Sequence, residues 1–287
     1  MKRIIKNSKM YRAISKRVPN AIKASIKSFI NYKVLNKKIQ LPYMEFHAVD
    51  HCNLNCAGCD HFCPLVKDEI FHDPWQLKED LFRVAKIVSI DRIRIMGGEP
   101  LLHPKIELIC EFTRSCFPGS HISLLSNGIL IPSMKKIFWK KISENNIELQ
   151  ISEYPGVKNI DKIQAIAREN YVEPVFAHKA DKMRAVINLS PGNKDDHYKL
   201  CPASGCINLY RGKLYPCSFV SYVDFFNKEF NLQIPTCPGL DIYNMKQEDV
   251  YNLANTPIEM CKYCDSKKKR EFLWHKSNKD MHEWTID

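Results

Sequence analysis

The sequence predicts an α/β fold in which a parallel sheet or a partial barrel is covered by outer helices. From Tyr43 to about Leu189, strand-like and helix-like segments alternate at roughly 25–35 residues per unit, the spacing of βαβ connections. The 287 residues are 45% hydrophobic, which is enough to fill a sizeable core. Ligands of such folds gather beyond the carboxyl ends of the strands, so we expect the functional residues there.

The predicted strands are short apolar runs bounded by turn residues. They are Met44–Val49, Arg92–Met96, Ile122–Leu125, Ile147–Ser152, Val172–Ala177 and Ala185–Leu189. The helices predicted between them are Pro74–Val88, Pro104–Cys116, Ser133–Ser143 and Asp161–Asn170. After Leu189 this alternation stops, and a short hairpin is predicted around Arg211-Gly212, with a helix near Lys246–Ala254.

Three regions follow from these patterns. Residues 1–41 form an amino-terminal arm, since Pro42 marks a boundary. Residues 42–190 form the α/β core, and residues 191–287 form a smaller cysteine-rich region.

The basic charge of the chain lies in the arm. Residues 1–44 hold 12 Lys or Arg and no acidic residue, whereas the rest of the chain holds 31 basic and 32 acidic residues. Within the arm, Ile22, Ile26 and Phe29 share one helical face, with lysines around it. Two interpretations remain open: a helix packed on its own protein, and a handle for an acidic partner or an anionic membrane surface. The near-neutral body gives no sign of a nucleic-acid surface.

We expect a cytoplasmic protein, peripheral to the membrane if the arm binds lipid. No run reaches the roughly 18 to 20 apolar residues that span a bilayer, and the amino terminus does not resemble a secretory signal. Twelve cysteines in such a chain favour metal or redox chemistry over disulfides. Cys110 and Cys116, which stand apart in a predicted helix, are interpreted as packing residues.

The segment from Cys52 to Cys59 places three cysteines at x3 and x2 spacings, at the carboxyl end of the first predicted strand. Three thiolates this close can hold three corners of one iron–sulfur cube and leave the fourth iron open. Zinc is the first alternative, although structural zinc usually takes pairs of ligands from two separated turns. A ferredoxin is the second, since Cys63-Pro64 extends the run to C-x3-C-x2-C-x3-C-P.

A second motif, at the end of the next predicted strand, favours a cluster with an open iron. Met96-Gly97-Gly98-Glu99-Pro100 ends the second predicted strand. Its glycines allow the backbone to approach a ligand closely, and Glu99 supplies an acceptor for an ammonium group. On its own, Gly97-Gly98-Glu99-Pro100 would be a turn in most proteins. At the end of the strand that follows a three-cysteine loop, it becomes a strong indication of a ligand site.

In these residues the chain resembles the radical S-adenosylmethionine (radical SAM) superfamily, over about residues 43–190. Cys52, Cys56 and Cys59 match its CxxxCxxC signature, and Gly97 to Pro100 match its GGEP motif. The Ser126-Asn127-Gly128 turn is similar to a Thr-Asn-Gly often found there. Gly58 departs from the pattern, because many members have an aromatic residue at this position.

The resemblance implies a partial (β/α)6 TIM-like barrel with a small carboxyl-terminal iron–sulfur domain. It also implies an enzyme in which a 4Fe–4S cluster on the three cysteines binds and reductively cleaves S-adenosylmethionine to a 5′-deoxyadenosyl radical, which abstracts a substrate hydrogen. The electron would come from a reductase or from a flavodoxin or ferredoxin. The residues expected to bind S-adenosylmethionine are Gly97, Gly98, Glu99, Pro100, Ser126, Asn127, Ser152 and Glu153.

The late cysteines resemble a twitch or SPASM-like extension that carries one auxiliary cluster. Its expected ligands are Cys217, Cys261 and Cys264, with either Cys201 or Cys206 as the fourth. A zinc site built from the same thiolates is the alternative. For the whole chain, the alternative is a non-catalytic iron–sulfur electron carrier or a cysteine-rich zinc-binding scaffold. The resemblance allows peptide, sugar or other small-molecule substrates and names no single one.

Overall fold

The computed structural model describes residues 38–157 and 159–286. Its strands are β1 (Ile39–His47), β2 (Val88–Met96), β3 (His121–Ser126), β4 (Glu148–Glu153), β5 (Val175–Lys179), β6 (Lys182–Ala185), β7 (Ile207–Tyr210), β8 (Lys213–Tyr215), β9 (Leu240–Asp241) and β10 (Arg270–Leu273). Its α-helices are α1 (Pro74–Ile87), α2 (Ile106–Cys116), α3 (Lys136–Glu144), α4 (Ile160–Glu169), α5 (Lys194–Lys199), α6 (Ser218–Phe230) and α7 (Gln247–Asn255).

Eight strands form one sheet in the order β5-β4-β3-β2-β1-β7-β8-β9. Strands β5 to β1 pair in parallel, and β7 adds a sixth parallel strand on the other side of β1. Strands β8 and β9 continue the sheet antiparallel. The α/β partial barrel predicted from the alternating pattern is therefore confirmed.

The predicted sixth strand, Ala185–Leu189, was wrong. Strand β6 ends at Ala185 and pairs antiparallel with β10 in a separate two-stranded sheet. Ile187 makes only isolated bridges, to Cys264 and Thr285. The sixth parallel strand is β7, because residues 44–46 of β1 pair with residues 207–209 along the edge opposite to β2.

Strand β1 begins three residues before the predicted boundary at Pro42. Its register with β2 pairs Ile39 with Val88 and Tyr43 with Arg92, so the strand runs through the proline. Pro42 itself has no partner in this register, as expected of a residue without an N–H group. The predicted amphipathic segment of the arm lies outside the described residues.

The strands are apolar toward the helices and polar toward the barrel lumen. Ile93 and Ile95 of β2 are fully buried in the main core, which also contains the inner faces of α1 to α4. The residues that alternate with them, Arg92, Arg94 and Met96, line the cavity within the barrel. Since side chains alternate along a strand, one face builds the core and the other builds the site.

A second core lies under α6, which the sequence pattern did not predict. Tyr222 and Phe226 of this helix are fully buried against Phe62 and Trp284. The carboxyl-terminal region thus has its own core, yet it shares the main sheet through β7. Within the described residues, no helix combines the length and apolarity needed to cross a membrane.

Candidate active site

The three cysteines of the loop after β1 line a single cavity of about 810 Å³ inside the barrel. Cys56 is buried, and Cys52 and Cys59 are partly exposed. Gly97, Gly98 and other residues at the carboxyl ends of β2 to β4 line the same cavity. The fold therefore places the cysteine loop and the glycine motif together, as the order of parallel strands predicted.

The glycine pair packs against the backbone that leads into the cysteine loop. The Gly98 N–H donates to the Val49 carbonyl oxygen over 2.9 Å, and the Glu99 N–H donates to the His51 carbonyl oxygen over 3.1 Å. A Cβ atom at Gly98 would lie 2.0 Å from the His51 oxygen, and one at Gly97 would lie 2.4 Å from the Val49 oxygen. No side chain fits there, so both glycines are required for the loop to lie against the motif.

The carboxyl-terminal segment holds the loop from the opposite side. The Ala57 N–H donates to the His275 carbonyl oxygen over 3.0 Å, and the Ser277 N–H donates to the Asn55 carbonyl oxygen over 2.8 Å. The indole N–H of Trp284 donates to the Cys59 carbonyl oxygen over 2.9 Å. The loop thus gains backbone partners that are more than 200 positions away in the sequence.

Gly58 lies beneath this segment, with a left-handed φ of 64°. A Cβ atom here would come within 2.8 Å of the Phe272 ring and 2.9 Å of the Glu283 carbonyl oxygen. The Phe272 ring of β10 thus occupies the space that a side chain at position 58 would need. Phe62, four residues after Gly58, is fully buried in the second core.

Glu99 connects the glycine motif to the turn after β3. Its carboxylate accepts hydrogen bonds from the Ser126 hydroxyl (2.8 Å), the Asn127 N–H (2.8 Å) and the Leu101 N–H (3.0 Å). Burial nevertheless raises the pKa of Glu99 to about 7. A carboxylate has about four acceptor sites, so one remains for a ligand donor.

Asn127 joins this hub to the cysteine loop. Its side-chain amide donates to the Asn53 side-chain oxygen over 2.8 Å and lies 3.9 Å from the Cys52 Sγ atom. Ser126, Asn127 and Ser152 line the cavity, as do Gly97, Gly98 and Glu99. Pro100 is buried in the short 3-10 turn that follows Glu99 and does not line the cavity. Glu153 does not line it either; Tyr154, which the sequence analysis did not single out, does.

The donor set suits an iron–sulfur cluster, since soft thiolates are its usual ligands. Within residues 38–157 and 159–286, no three His, Cys, Asp or Glu side chains converge on a single ion position. A cubane binds each thiolate at a different iron, so its ligands need only face one cavity. Burial raises the pKa of Cys52 and of Cys56 to about 12, whereas a hydrogen bond from Cys63 lowers that of Cys59 to about 6.

Cys63 is buried beside Cys59 and forms no disulfide. Two histidines lie near the site, and only one of them faces the cavity. His61 lines the cavity, 3.7 Å from Glu45. His103 lies outside it, and its ring nitrogens bond to the backbone of His72 and Lys105.

Polar residues deeper in the barrel were missed by the sequence analysis. Tyr43 and Glu45 of β1 and Arg92 and Arg94 of β2 line the cavity, each two residues from the next. Their alternation with core isoleucines is the signal that could have identified them. Glu45 accepts a hydrogen bond from the Tyr43 hydroxyl and one from the Asn208 amide at 3.4 Å. Burial alone would raise the pKa of Glu45, but the hydrogen bonds from His61 and Tyr43 lower it to about 2.

Four of the late cysteines form a second group of thiols. Cys217 begins α6, Cys261 and Cys264 belong to the 3-10 turn at 259–264, and Cys201 follows α5. The four thiols lie within electrostatic range of one another, although no three of them converge on a single ion position among the described residues. Burial raises the pKa of Cys264 to about 12 and that of Cys217 further.

Cys206 lies apart from this group. Among the thiols it interacts with Cys201 alone, and its other charged neighbours are Glu45 and Arg94 in the barrel. It lines the cavity together with Tyr43 and Glu45. The structure therefore turns this thiol toward the lumen rather than toward Cys261 and Cys264.

Comparison with known proteins reveals partial relatives. No protein-family profile matches the chain. GTP 3′,8-cyclase of Clostridium acetobutylicum is 29% identical over 133 residues, which are 44% of this chain and 41% of that protein. GTP 3′,8-cyclase of Clostridium perfringens is 26% identical over 165 residues, which are 55% of this chain and 50% of that protein. The chain spans about half the length of the curated relatives it matches or less.

The fold is also found in a solved structure. The crystal structure of BtrN in complex with AdoMet and 2-DOIA superposes with a TM-score of 0.50 at 16% sequence identity. The similarity covers 81% of this chain and 96% of that one. At this identity the likeness establishes the fold, which extends well beyond the stretch that matches in sequence.

Proposed function

We propose that this protein, which its cysteine and glycine motifs and its fold identify as a member of the radical S-adenosylmethionine superfamily, cleaves S-adenosylmethionine reductively and removes a hydrogen atom from a small substrate. One observation carries the proposal: Cys52, Cys56 and Cys59 face the same cavity as the Gly97-Gly98-Glu99 motif. A 4Fe–4S cluster on these thiolates would supply the electron that converts S-adenosylmethionine to methionine and a 5′-deoxyadenosyl radical.

The residues of the chain orient the reactants and exclude water. Cys52, Cys56 and Cys59 would hold three irons, and Glu99 has one acceptor left for the ammonium group of S-adenosylmethionine. Ser126, Asn127 and Ser152 supply hydroxyl and amide groups for its carboxylate and ribose. The Phe272 ring covers the loop at Gly58 and shields it from solvent. Pro100 would set the turn after Glu99, and Glu153 is kept as a weaker candidate for the ribose.

The test is anaerobic reconstitution, reduction with dithionite and addition of S-adenosylmethionine. We expect 5′-deoxyadenosine and methionine as products, and loss of both with Cys56→Ala. Cys110→Ala is the matched control, since Cys110 is buried in α2 away from the cavity. Product formation by Cys56→Ala at the control's rate would refute the proposal.

The alternative is a non-catalytic electron carrier in which Cys63 closes the cluster. The buried position of Cys63 beside Cys59 favours this alternative. If the cluster spectrum responds to S-adenosylmethionine only after Cys63→Ser is introduced, the protein is an electron carrier and the enzyme hypothesis is wrong.

A second cluster is proposed on Cys201, Cys217, Cys261 and Cys264, within a domain of residues 191–287 that follows the core of residues 42–190. The electrostatic interactions among these four thiols support it, and the position of Cys206 on the barrel cavity supports Cys201 as the fourth ligand. Iron and zinc are counted in Cys261→Ala/Cys264→Ala. A loss of about four irons per chain supports the cluster, whereas a loss of about one zinc rejects it.

The partners follow from this chemistry. A small-molecule substrate is supported by the relatives' name, GTP 3′,8-cyclase, and by the 2-DOIA bound to BtrN; a peptide substrate is the second candidate. The electron would come from a reductase, flavodoxin or ferredoxin. The basic arm that precedes β1 is proposed to bind an acidic partner or a membrane surface in the cytoplasm, which liposome binding before and after deletion of residues 1–37 tests.

A further inference from the structure

Three buried polar atoms in the barrel lumen have no hydrogen-bond partner among the described residues. They are the Arg94 Nε, the Ser123 Oγ and the Gln150 Oε1 atoms. Ser123 is 0% exposed and Gln150 is 8% exposed. Leaving such groups unpaired is costly, and native proteins satisfy nearly all of them with protein, water or ligand.

The three atoms belong to neighbouring strands and to the same face of the sheet. Arg94 of β2 is the register partner of Ser123 of β3, and Gln150 of β4 is the partner of Leu125. Leu125 and Ser152 line the cavity, so Ser123 and Gln150, two residues before them, lie on the same face of the sheet. Of the three residues, Arg94 lines the cavity itself, and Ser123 and Gln150 lie just beneath the lining. The unpaired atoms therefore form one patch in the lumen, below the proposed S-adenosylmethionine site.

The positive charge of this patch is not neutralised by an ion pair. Glu45 is the register partner of Arg94, yet the two form no salt bridge, because Tyr43, His61 and Asn208 occupy the Glu45 carboxylate. The exposed side chain of Arg92 makes no ion pair or hydrogen bond with any described residue. Arg94 only lies over the Tyr43 ring, at 5.7 Å.

The other acid on this face is also engaged. Glu148, two residues before Gln150, accepts hydrogen bonds from Gln150 and His121. Two guanidinium groups thus share the lumen with an unpaired amide oxygen and an unpaired hydroxyl. A guanidinium prefers carboxylate or phosphate oxygens, whereas the amide oxygen requires a donor.

We propose that the lumen binds a small polar molecule that carries an oxyanion, either phosphate or carboxylate, together with a hydroxyl or amine donor. Arg92 and Arg94 bind the oxyanion, Gln150 accepts from the donor, and Ser123 serves either. That this molecule is the one that loses hydrogen rests on the proposed function; the binding site itself does not. A purely apolar substrate would leave the buried Arg94 Nε and Gln150 Oε1 atoms unpaired.

The test is calorimetric binding to the reconstituted protein without reductant, using three probes with one carbon skeleton: glycerol 3-phosphate, glycerate and glycerol. We expect at least one anion to bind about tenfold tighter than glycerol or more, since hydrogen bonds between charged groups are stronger than those of a neutral hydroxyl. Binding of glycerol 3-phosphate alone identifies phosphate, and binding of glycerate alone identifies carboxylate. If neither anion binds more tightly than glycerol, the proposal is wrong.

Arg94→Met should weaken the bound anion by about tenfold or more, and Gln150→Leu should weaken it through the lost acceptor. Arg83→Met is the control, since Arg83 pairs with Glu79 on the surface of α1. Arg92 is exposed, so Arg92→Met tests the same charge if Arg94→Met does not fold. Unchanged anion affinity in the lumen variants would overturn the site.

The binding assay and the cleavage assay fail separately. Anion binding without S-adenosylmethionine cleavage would refute the proposed function and leave the lumen site standing. Cleavage without anion binding would refute only the lumen site.

Discussion

The indole N–H of Trp274 donates a hydrogen bond to the Sγ atom of Cys56 over 3.0 Å. The two residues are 218 positions apart, and the contact exists because the segment after β10 lies along the cysteine loop. A donor at this sulfur stabilises its negative charge, so the carboxyl-terminal segment acts on the proposed cluster electronically as well as mechanically.

We predict that Trp274→Phe makes the reduction potential of the first cluster more negative while iron is still incorporated. Phenylalanine keeps the packing but removes the N–H donor, so the more negative, reduced cluster loses stabilisation. A redox titration followed by electron paramagnetic resonance measures the shift. Trp75→Phe is the control because Trp75 is 57% exposed on α1. An unchanged or more positive potential in Trp274→Phe would contradict the prediction.

We predict that Gly98→Ala displaces the cysteine loop and lowers both stability and iron content. The new methyl group would lie 2.0 Å from the His51 oxygen, and overpacking of this kind costs about 1–3 kcal/mol. Gly119→Ala is the matched control, since no atom lies within 4 Å of its Cβ position. Denaturant unfolding and iron analysis provide the measurements. Equal behaviour of the two variants would rule out the close approach as the reason for the glycine.

The stability of the metal-free protein should depend on pH through Glu99. Burial raises the pKa of this carboxyl from 4.5 to about 7, so the folded protein retains a proton that the unfolded chain releases. The contribution of Glu99 is therefore complete below pH 4.5 and is lost as the pH rises toward 7, on the order of 3 kcal/mol in total.

The comparison with Glu99→Gln isolates this effect, because glutamine does not titrate. We expect the stability of the wild type to fall relative to the variant between about pH 4.5 and 7, measured by urea unfolding at several pH values. Parallel pH profiles would show that Glu99 has an ordinary pKa.

Cys201→Ala and Cys206→Ala form a matched pair of predictions for the second cluster. Cys201 interacts with all three other thiols of its group, whereas Cys206 faces Glu45 and Arg94 in the lumen. We expect Cys201→Ala to reduce the iron content by up to about four per chain and Cys206→Ala to leave it unchanged. The reverse result would exchange their roles.

The local parts of the fold could be predicted from the sequence. Helices α1 to α4 and strands β1 to β4 lie within a few residues of their predicted bounds, because their apolar periodicity also decides their packing. Strand β6 could not be placed, since its partner β10 is 85 or more residues away and has no regular pattern of its own. The same reason explains why helix α6 and the second core were missed.

The candidate site likewise contains residues that the sequence pattern identifies and residues that only the fold brings together. Its cysteines and glycines have fixed spacings within short segments. The segment from Cys52 to Cys59 and the motif at Gly97 could therefore be identified from the sequence. Glu45, Arg94 and Gln150 have no such spacing, and only the parallel register brings them to one face of the lumen.

The sequence by itself determined the three-cysteine loop, the glycine motif and the parallel strands that bring them together, because these depend on short-range spacing and periodicity. Only the tertiary structure decided that Phe272 covers Gly58, that Cys206 turns away from the other late thiols, and that the side chains of Arg92 and Arg94 have no ion pair among the described residues. These features depend on contacts between segments far apart in the chain, and the packing that creates such contacts has no local pattern.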